Sequence, residues 1–120
     1  MLIQVLKSKL KEVIVTAADT KYEGSITLDP DLMYAADIKQ YERVEVNGVN
    51  SDSRIVTYAI SGKDGSGCVE LNGGAANLFT KGEHIHVNCF AFVEAPEFHH
   101  SILSRYPLIV KTDENNKVID

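Results

Sequence analysis

The chain has 120 residues and a mass of 13.2 kDa, and its 44% hydrophobic and 24% charged residues are typical of one folded domain over residues 1–120. A net charge of −5 argues against nucleic acid or an anionic membrane as a partner. No apolar stretch approaches the ~20 residues of a membrane span, and residues 1–10 lack a signal peptide's uncharged core, so we expect a cytoplasmic protein. Cys68 and Cys89 form no metal or redox motif, and we expect both to be buried apolar side chains.

Val and Ile number 22 against 9 Leu, which favours strands over helices. Alternation and turn signals predict strands over 2–7, 10–16, 26–28, 41–47, 54–60, 68–71 and 84–93, and a terminal hairpin over 107–119. The polar segment 16–25 predicts a loop or hairpin. Asp29 can cap a helix that Pro30 begins and that ends near Asp37, and a second helix is predicted within 95–106. We therefore expect a mainly β fold, a small β-barrel with a few short helices.

Ser25 follows Gly24, and Gly-Ser is common in ordinary turns. The functional alternative is self-cleavage, in which the serine hydroxyl attacks the preceding carbonyl. Glycine at that carbonyl removes steric bulk and permits unusual dihedral angles. The chain has no G-x-S-x-G motif, and no acidic residue is spaced to orient His84 or His86 towards Ser25, so a serine hydrolase is disfavoured.

Lys9 and Lys11 are two residues apart on a predicted strand and share a face, with Lys7 as a third lysine nearby. They form either a solvated surface or a site that grips an anion. His84 and His86 also share a face, but no nearby cysteine, third histidine or spaced carboxylate completes a metal site, so we favour no metal.

Arg54 and Tyr58 are four residues apart and share a strand face, whereas Thr57 points to the other side unless the strand twists or bulges. The segment is either an ordinary edge strand or a site with a carboxylate clamp (Arg54), a hydroxyl donor (Thr57) and a proton donor or acceptor (Tyr58). Residues 72–76, Asn-Gly-Gly-Ala-Ala, predict a turn whose exposed N–H groups could also hold an anion.

Several motifs occur together in a fixed order over roughly residues 1–95. They are Lys9-Leu10, Val13-x-Val15-Thr16-x-Ala18-Asp19, Tyr22-Glu23-Gly24-Ser25, Asp29-x-Asp31, Ala35-Ala36, Arg54-x-x-Thr57-Tyr58-Ala59-Ile60 and Asn72-Gly73-x-Ala75-Ala76. This set resembles the pyruvoyl-dependent aspartate 1-decarboxylase family. The chain departs from the family at Lys11, where histidine is frequent, at Gly74, where alanine is usual, and at 47–48, which lack an aromatic residue often present there.

The resemblance implies a double-psi β-barrel, a homotetramer with active sites between subunits, and a zymogen that cleaves itself. Ser25 would attack the Gly24 carbonyl with Thr57 as a donor near the oxyanion, and elimination and hydrolysis would leave a pyruvoyl group in place of Ser25. The products would be residues 1–24 and residues 25–120. Cleavage is either spontaneous or assisted by a maturation factor.

The resemblance also implies that L-aspartate is decarboxylated to β-alanine, a pantothenate precursor, through a Schiff base on the pyruvoyl group, with neither pyridoxal phosphate nor a metal. Tyr58 would protonate the former α-carbon. The residues expected to bind substrate are Lys9, Arg54, Thr57, Asn72, Gly73, Gly74 and Ala75. The competing interpretation is a non-catalytic small β-barrel that binds a ligand or a partner.

Overall fold

The computed structural model describes residues 1–21, 24–95 and 106–119. The strands of this part of the chain are β1 (Leu2–Ile14), β2 (Ala17–Asp19), β3 (Ser25–Leu28), β4 (Arg43–Gly48), β5 (Arg54–Ser61), β6 (Val69–Asn72), β7 (His84–Glu94), β8 (Leu108–Thr112) and β9 (Val118–Ile119). Helix α1 covers Pro30–Ala36, and a 3-10 helix covers Gly73–Asn77. The predicted second helix falls largely on residues 96–105, and Tyr22 and Glu23 of the family motif are also outside the described residues.

The strands form one sheet in the order β2-β6-β3-β5-β4-β7-β1-β8-β9. Most neighbours are antiparallel, but β1 and β8, β2 and β6, and β3 and β5 pair in parallel. The mainly β prediction is confirmed, and the sheet is consistent with a small β-barrel. Its core contains fully buried aliphatic side chains from most strands and from α1, among them Leu10, Val13, Ile26, Leu28, Leu32, Val46, Leu71, Ile85 and Val87.

Strand β1 corrects the prediction of two separate strands at 2–7 and 10–16. It is continuous, and its register against β7 shifts between Leu6 and Ser8 and again between Leu10 and Val13. A bulge inserts an extra residue without ending the strand, and here Glu12 takes a positive φ of 58° at the second irregularity. The two predicted strands are therefore one strand that contains two bulges.

The segment 16–25, predicted as a loop or hairpin, contains the short strand β2. Ala17, Ala18 and Asp19 pair in parallel with Glu70, Leu71 and Asn72 of β6. The sequence of this segment gives little indication of a strand. It becomes a strand only by pairing with β6, which is distant in the sequence.

Helix α1 begins as the sequence predicts. The Asp29 carboxylate accepts a hydrogen bond from the backbone N–H of Asp31 at 2.9 Å, and Pro30 occupies the first turn. Asp29 also accepts from the backbone N–H groups of Gly65 at 3.1 Å and Gly67 at 2.8 Å, so one buried carboxylate joins the helix start to the loop before β6. The helix ends at Ala36, and its C-cap residue Asp37 takes the left-handed conformation, close to the predicted end.

The stability of this junction depends on pH, because it depends on the charge of Asp29. Burial disfavours the charged carboxylate, but the N–H donors of Asp31, Gly67 and Gly65 and the charge of Lys117 outweigh it and lower the pKa of Asp29. Because the folded pKa lies below the unfolded one, this stabilisation is present above the unfolded pKa of about 3.9 and is lost as pH falls through the folded pKa.

The predicted terminal hairpin is confirmed, with β8 and β9 antiparallel. The side-chain amide of Asn116, in the turn between them, donates to the carbonyl oxygens of Ile14 and Gly67, at 2.8 Å in each case. Cys68 and Cys89 are both free and buried, as predicted. Burial raises the pKa of Cys89 to about 11, which keeps its thiol protonated at neutral pH. In the part of the chain that the structure describes, no helix is long and apolar enough to cross a membrane.

Candidate active site

Ser25 opens β3 with its side chain buried and hydrogen-bonded. Only 2% of the residue is exposed, and its Oγ accepts a hydrogen bond from Asn72 Nδ2 at 2.9 Å. The same amide donates to Thr27 Oγ1 at 3.0 Å. Ser25 and Asn72 are directly opposed in the antiparallel pairing of β3 with β6, so sheet register sets this contact. Because Oγ is the acceptor, its own proton stays available for transfer.

Gly24 lies in an exposed bend immediately before this buried serine. A Cβ built at Gly24 would meet no heavy atom within 4 Å in the described residues, so the backbone at this glycine is open on that side. The Gly24–Ser25 peptide bond therefore joins an accessible turn to a fixed, buried side chain. Self-cleavage at this bond stays a prediction.

Tyr58 is brought to the start of β3 by the parallel pairing of β3 with β5. The register begins with Ile26 beside Ala59, and continuing it by one residue places Ser25 beside Tyr58. The half-buried Tyr58 ring packs against Tyr41, with the ring centroids 6.4 Å apart and an interplanar angle of 53°. This contact restricts the orientations open to the Tyr58 phenol.

Thr57 faces away from Tyr58. Strands β4 and β5 pair without interruption from Arg43 beside Tyr58 to Asn47 beside Arg54, and Thr57 lies beside Val44, whose side chain is in the core. The opposed direction agrees with the sequence expectation for a strand without a bulge. The role of Thr57 as an oxyanion donor stays a prediction.

The glycine-rich segment follows directly after the serine's partner. Asn72 ends β6, and Gly73–Asn77 forms the 3-10 helix. Gly73 is buried with a φ of +66°, a backbone conformation that favours glycine. Gly74 is exposed, and Ala75 is buried. The chain thus brings these backbone groups to the end of β6 beside Ser25, and their contact with substrate stays a prediction.

Lys9 and Arg54 lie on the outward face of the sheet, on β1 and β5, with β7 and β4 between them. Lys9 is opposite Asn88 on β7, and Arg54 is opposite Asn47 on β4. Asn88 Nδ2 donates to Asn47 Oδ1 at 2.9 Å and joins the two middle strands. Among the described residues, neither cation takes part in an ion pair, so both are available to an anion.

Lys7 does not belong to this cationic face. Its Nζ donates to Glu42 Oε2 at 2.7 Å and to the backbone carbonyl of Asp37 at 2.6 Å, in a partly buried setting. The lysine therefore stabilises the end of α1, where helix carbonyls lack partners within the helix. Its charge is already compensated by Glu42.

The imidazole of His86 is held by a backbone hydrogen bond. Its Nδ1 accepts from the Glu12 N–H at 3.1 Å, and burial, followed by the charge of Lys9, lowers the pKa of the imidazole. The described segments contain no group of three His, Cys, Asp or Glu side chains that could hold a metal ion. Strands β5 and β4 separate His86 from Ser25, so the structure does not support the serine hydrolase alternative.

A family model described as aspartate decarboxylase matches residues 1–119. The chain belongs to this family. It is 41% identical over 119 residues to an aspartate 1-decarboxylase of Caldicellulosiruptor saccharolyticus, covering 99% of this chain and 90% of the relative. It is 42% identical over 117 residues to an aspartate 1-decarboxylase of Leptospira biflexa, covering 98% and 97%. A Bacillus cereus aspartate 1-decarboxylase is 39% identical over 116 residues, covering 97% and 88%.

For this member of the aspartate decarboxylase family, the structure adds contacts that sequence reasoning did not identify. The resemblance implies that Asn72 binds substrate, and the structure shows in addition that its amide donates a hydrogen bond to Ser25. Tyr41 packs on Tyr58, and the Asn47–Asn88 pair lies between the two cations. Asn88 continues the polar alternation of β7, which was the one available sequence signal for that pair.

Proposed function

We propose that this chain is an aspartate 1-decarboxylase that converts L-aspartate to β-alanine and CO₂ after cleaving itself between Gly24 and Ser25. The observation that carries the proposal is the buried Ser25 hydroxyl, held by Asn72 at 2.9 Å directly after an exposed glycine, in a chain of this family. The proposed product, β-alanine, is a precursor of pantothenate. The proposed role is therefore the supply of β-alanine for pantothenate synthesis, as the family resemblance implies.

Maturation begins when Ser25 Oγ loses its proton and forms a bond to the Gly24 carbonyl carbon. The peptide C–N bond then breaks, its nitrogen takes up a proton, and an ester joins the two pieces. Loss of the Ser25 α-proton breaks the Cβ–Oγ bond, releasing residues 1–24 as a carboxylate and leaving dehydroalanine. Water replaces the nitrogen of that residue, which departs as ammonia, and a pyruvoyl group remains. Thr57, the residue before Tyr58 on β5, is the proposed donor to the oxyanion.

The residues around Ser25 fit a pyruvoyl group, because the buried Asn72 amide is already aimed at this position as a hydrogen-bond donor. When formed, the pyruvoyl ketone supplies the electron sink that loss of CO₂ requires. For this reason the proposal includes neither pyridoxal phosphate nor a metal.

The chain's own side chains bind the substrate and move the proton. Arg54 offers a planar guanidinium that can hold a carboxylate with two parallel hydrogen bonds, and Lys9 adds a point charge. The backbone N–H groups of residues 73–75 and the Thr57 hydroxyl are proposed to contact the remaining polar atoms. Tyr58, next to Ser25 along the β3–β5 register, protonates the former α-carbon after CO₂ departs.

The resemblance implies active sites between subunits, and the strand order is consistent with it. Strands β5, β4 and β7 lie between Ser25 on β3 and Lys9 on β1 of the same chain. We therefore propose that Lys9 and Arg54 of one subunit complete the site around Ser25 of a neighbour, within a homotetramer. We also propose that the protein is cytoplasmic. Both of its cysteines are free, as expected in the reducing conditions of the cytoplasm.

Intact mass spectrometry of the purified protein, followed by an assay for β-alanine, tests this function. We expect two species, residues 1–24 and a residue 25–120 fragment altered at its first residue, together with β-alanine formation from L-aspartate. Cleavage that occurs only after cell extract is added would identify a maturation factor. A single intact chain that forms no β-alanine under either condition would favour a non-catalytic binding module.

Arg54→Ala should greatly weaken aspartate turnover and leave self-cleavage largely unchanged, because no substrate carboxylate is present during maturation. Truncating one partner of a desolvated charge pair costs about 2–5 kcal/mol, which is ~30- to several-thousand-fold in kcat/KM. Arg54→Lys retains the charge but not the planar fork and should lose less. Steady-state β-alanine production, with a gel to follow processing, measures both effects. Normal kcat/KM in processed Arg54→Ala would assign the carboxylate to other groups.

A further inference from the structure

Asn88 lies between the proposed substrate cations and has one unsatisfied polar atom. Its Nδ2 donates to Asn47 Oδ1 at 2.9 Å, which fixes the direction of the amide. Its Oδ1 is buried and has no hydrogen-bond partner in the described residues. A buried acceptor without a partner is costly in a folded protein, so this oxygen needs a donor.

Lys9 is the donor best placed to supply that hydrogen bond. It is directly opposite Asn88 in the pairing of β1 with β7, where facing Cβ atoms are about 4.5–5.5 Å apart. Its flexible stem allows the ammonium to swing across the neighbouring strand. On the other side of Asn88, β4 presents Glu45, an acidic side chain that does not compete with Lys9 as a donor.

We propose that Asn88 is a positioning residue for Lys9, with its Oδ1 accepting a hydrogen bond from Lys9 Nζ and Asn47 holding the amide in that orientation. The bridge keeps the Lys9 ammonium on the side of β1 that faces Arg54. Lys9 from β1 and Arg54 from β5 then face the same side of the sheet. The expected effect on aspartate binding rests on the proposed function, whereas the hydrogen bond itself does not.

The hydrogen bond is tested first in the uncleaved Ser25→Ala precursor, without any assay of activity. Limited acetylation followed by peptide mass spectrometry gives the labelling rate of Lys9 relative to Lys11, the exposed lysine two residues along β1. An acceptor stabilises the ammonium, so Asn88→Ala should raise the relative rate of Lys9 about three- to tenfold. An unchanged ratio would overturn the proposal even if the protein proves to be a decarboxylase.

The consequence for binding is tested by a double-mutant cycle of Asn88→Ala and Lys9→Ala in processed protein. Asn88→Ala should raise KM for aspartate about tenfold with little change in kcat, as expected for a lost hydrogen bond to a charged group. In the Lys9→Ala background it should change KM less than about twofold. The exposed Asn50 provides the control variant Asn50→Ala, which should behave as wild type.

A purely structural role for Asn88 predicts a different pattern. Asn88→Ala would then lower Tm and kcat to the same extent with or without Lys9, and that additivity would refute the positioning role. If Asn88→Ala does not fold, Asn47→Ala removes the acceptor that orients the amide and should raise Lys9 labelling and KM in the same direction. No change in either measurement for a folded Asn47→Ala would also refute the proposal.

Discussion

Ser25→Ala should remain one uncleaved chain and form no β-alanine, the largest effect expected for any substitution in this protein. Alanine has no hydroxyl to attack the Gly24 carbonyl, and no other residue can become the pyruvoyl group. The substitution removes one hydrogen bond from Asn72, whose amide still reaches Thr27 Oγ1 at 3.0 Å, so the fold should persist. Intact mass, circular dichroism and the β-alanine assay report the three outcomes separately.

Ser8→Ala is a matched control for this prediction, because Ser8 is also a buried serine on a strand of the same sheet. Its hydroxyl interacts with the Cys89 thiol, which is not among the proposed site residues, so its removal should leave cleavage and activity intact. Ser25→Thr keeps a hydroxyl but crowds it, and slow partial processing is expected. β-Alanine formation by Ser25→Ala at the wild-type rate would rule out the pyruvoyl mechanism.

Signals that act within a few residues predicted their elements well. Asp29 and Pro30 begin α1 because capping and a preset φ are local properties, and the alternation of Val44 and Val46 predicts β4. Strand β2 was missed because Ala17–Asp19 becomes a strand only by pairing with β6, which is about fifty residues away in the sequence. The two bulges of β1 were missed for the same reason, since a bulge is defined by the partner strand.

The same distinction between local signals and strand pairing applies to the candidate site. Ser25, Tyr58 and Arg54 could be proposed from residue chemistry and motif order. Their neighbours could not, because sheet register decides which side chains meet. Lys7 shows the limit. Residue chemistry alone groups it with Lys9 and Lys11, and only the contact with Glu42 in the structure shows that its charge is compensated.

Tyr58→Phe should separate catalysis from maturation. Phenylalanine keeps the ring that packs on Tyr41 and removes only the hydroxyl, so self-cleavage should proceed. If the Tyr58 hydroxyl protonates the former α-carbon, decarboxylation should fall by ~10²–10⁴-fold, the usual contribution of a positioned general acid. Tyr41→Phe is the control, since it removes a hydroxyl from the neighbouring exposed ring and should retain activity.

The isotope pattern of the product tests the same role without relying on rate alone. In D₂O a positioned phenol delivers deuterium to one face of the former α-carbon, so wild-type protein should form β-alanine labelled with a single configuration. In Tyr58→Phe the donor becomes water, which can approach from either face, and the residual product should lose that configuration. Wild-type rate and unchanged stereochemistry in processed Tyr58→Phe would together assign the proton to another donor, despite the position of Tyr58 beside Ser25 in the sheet register.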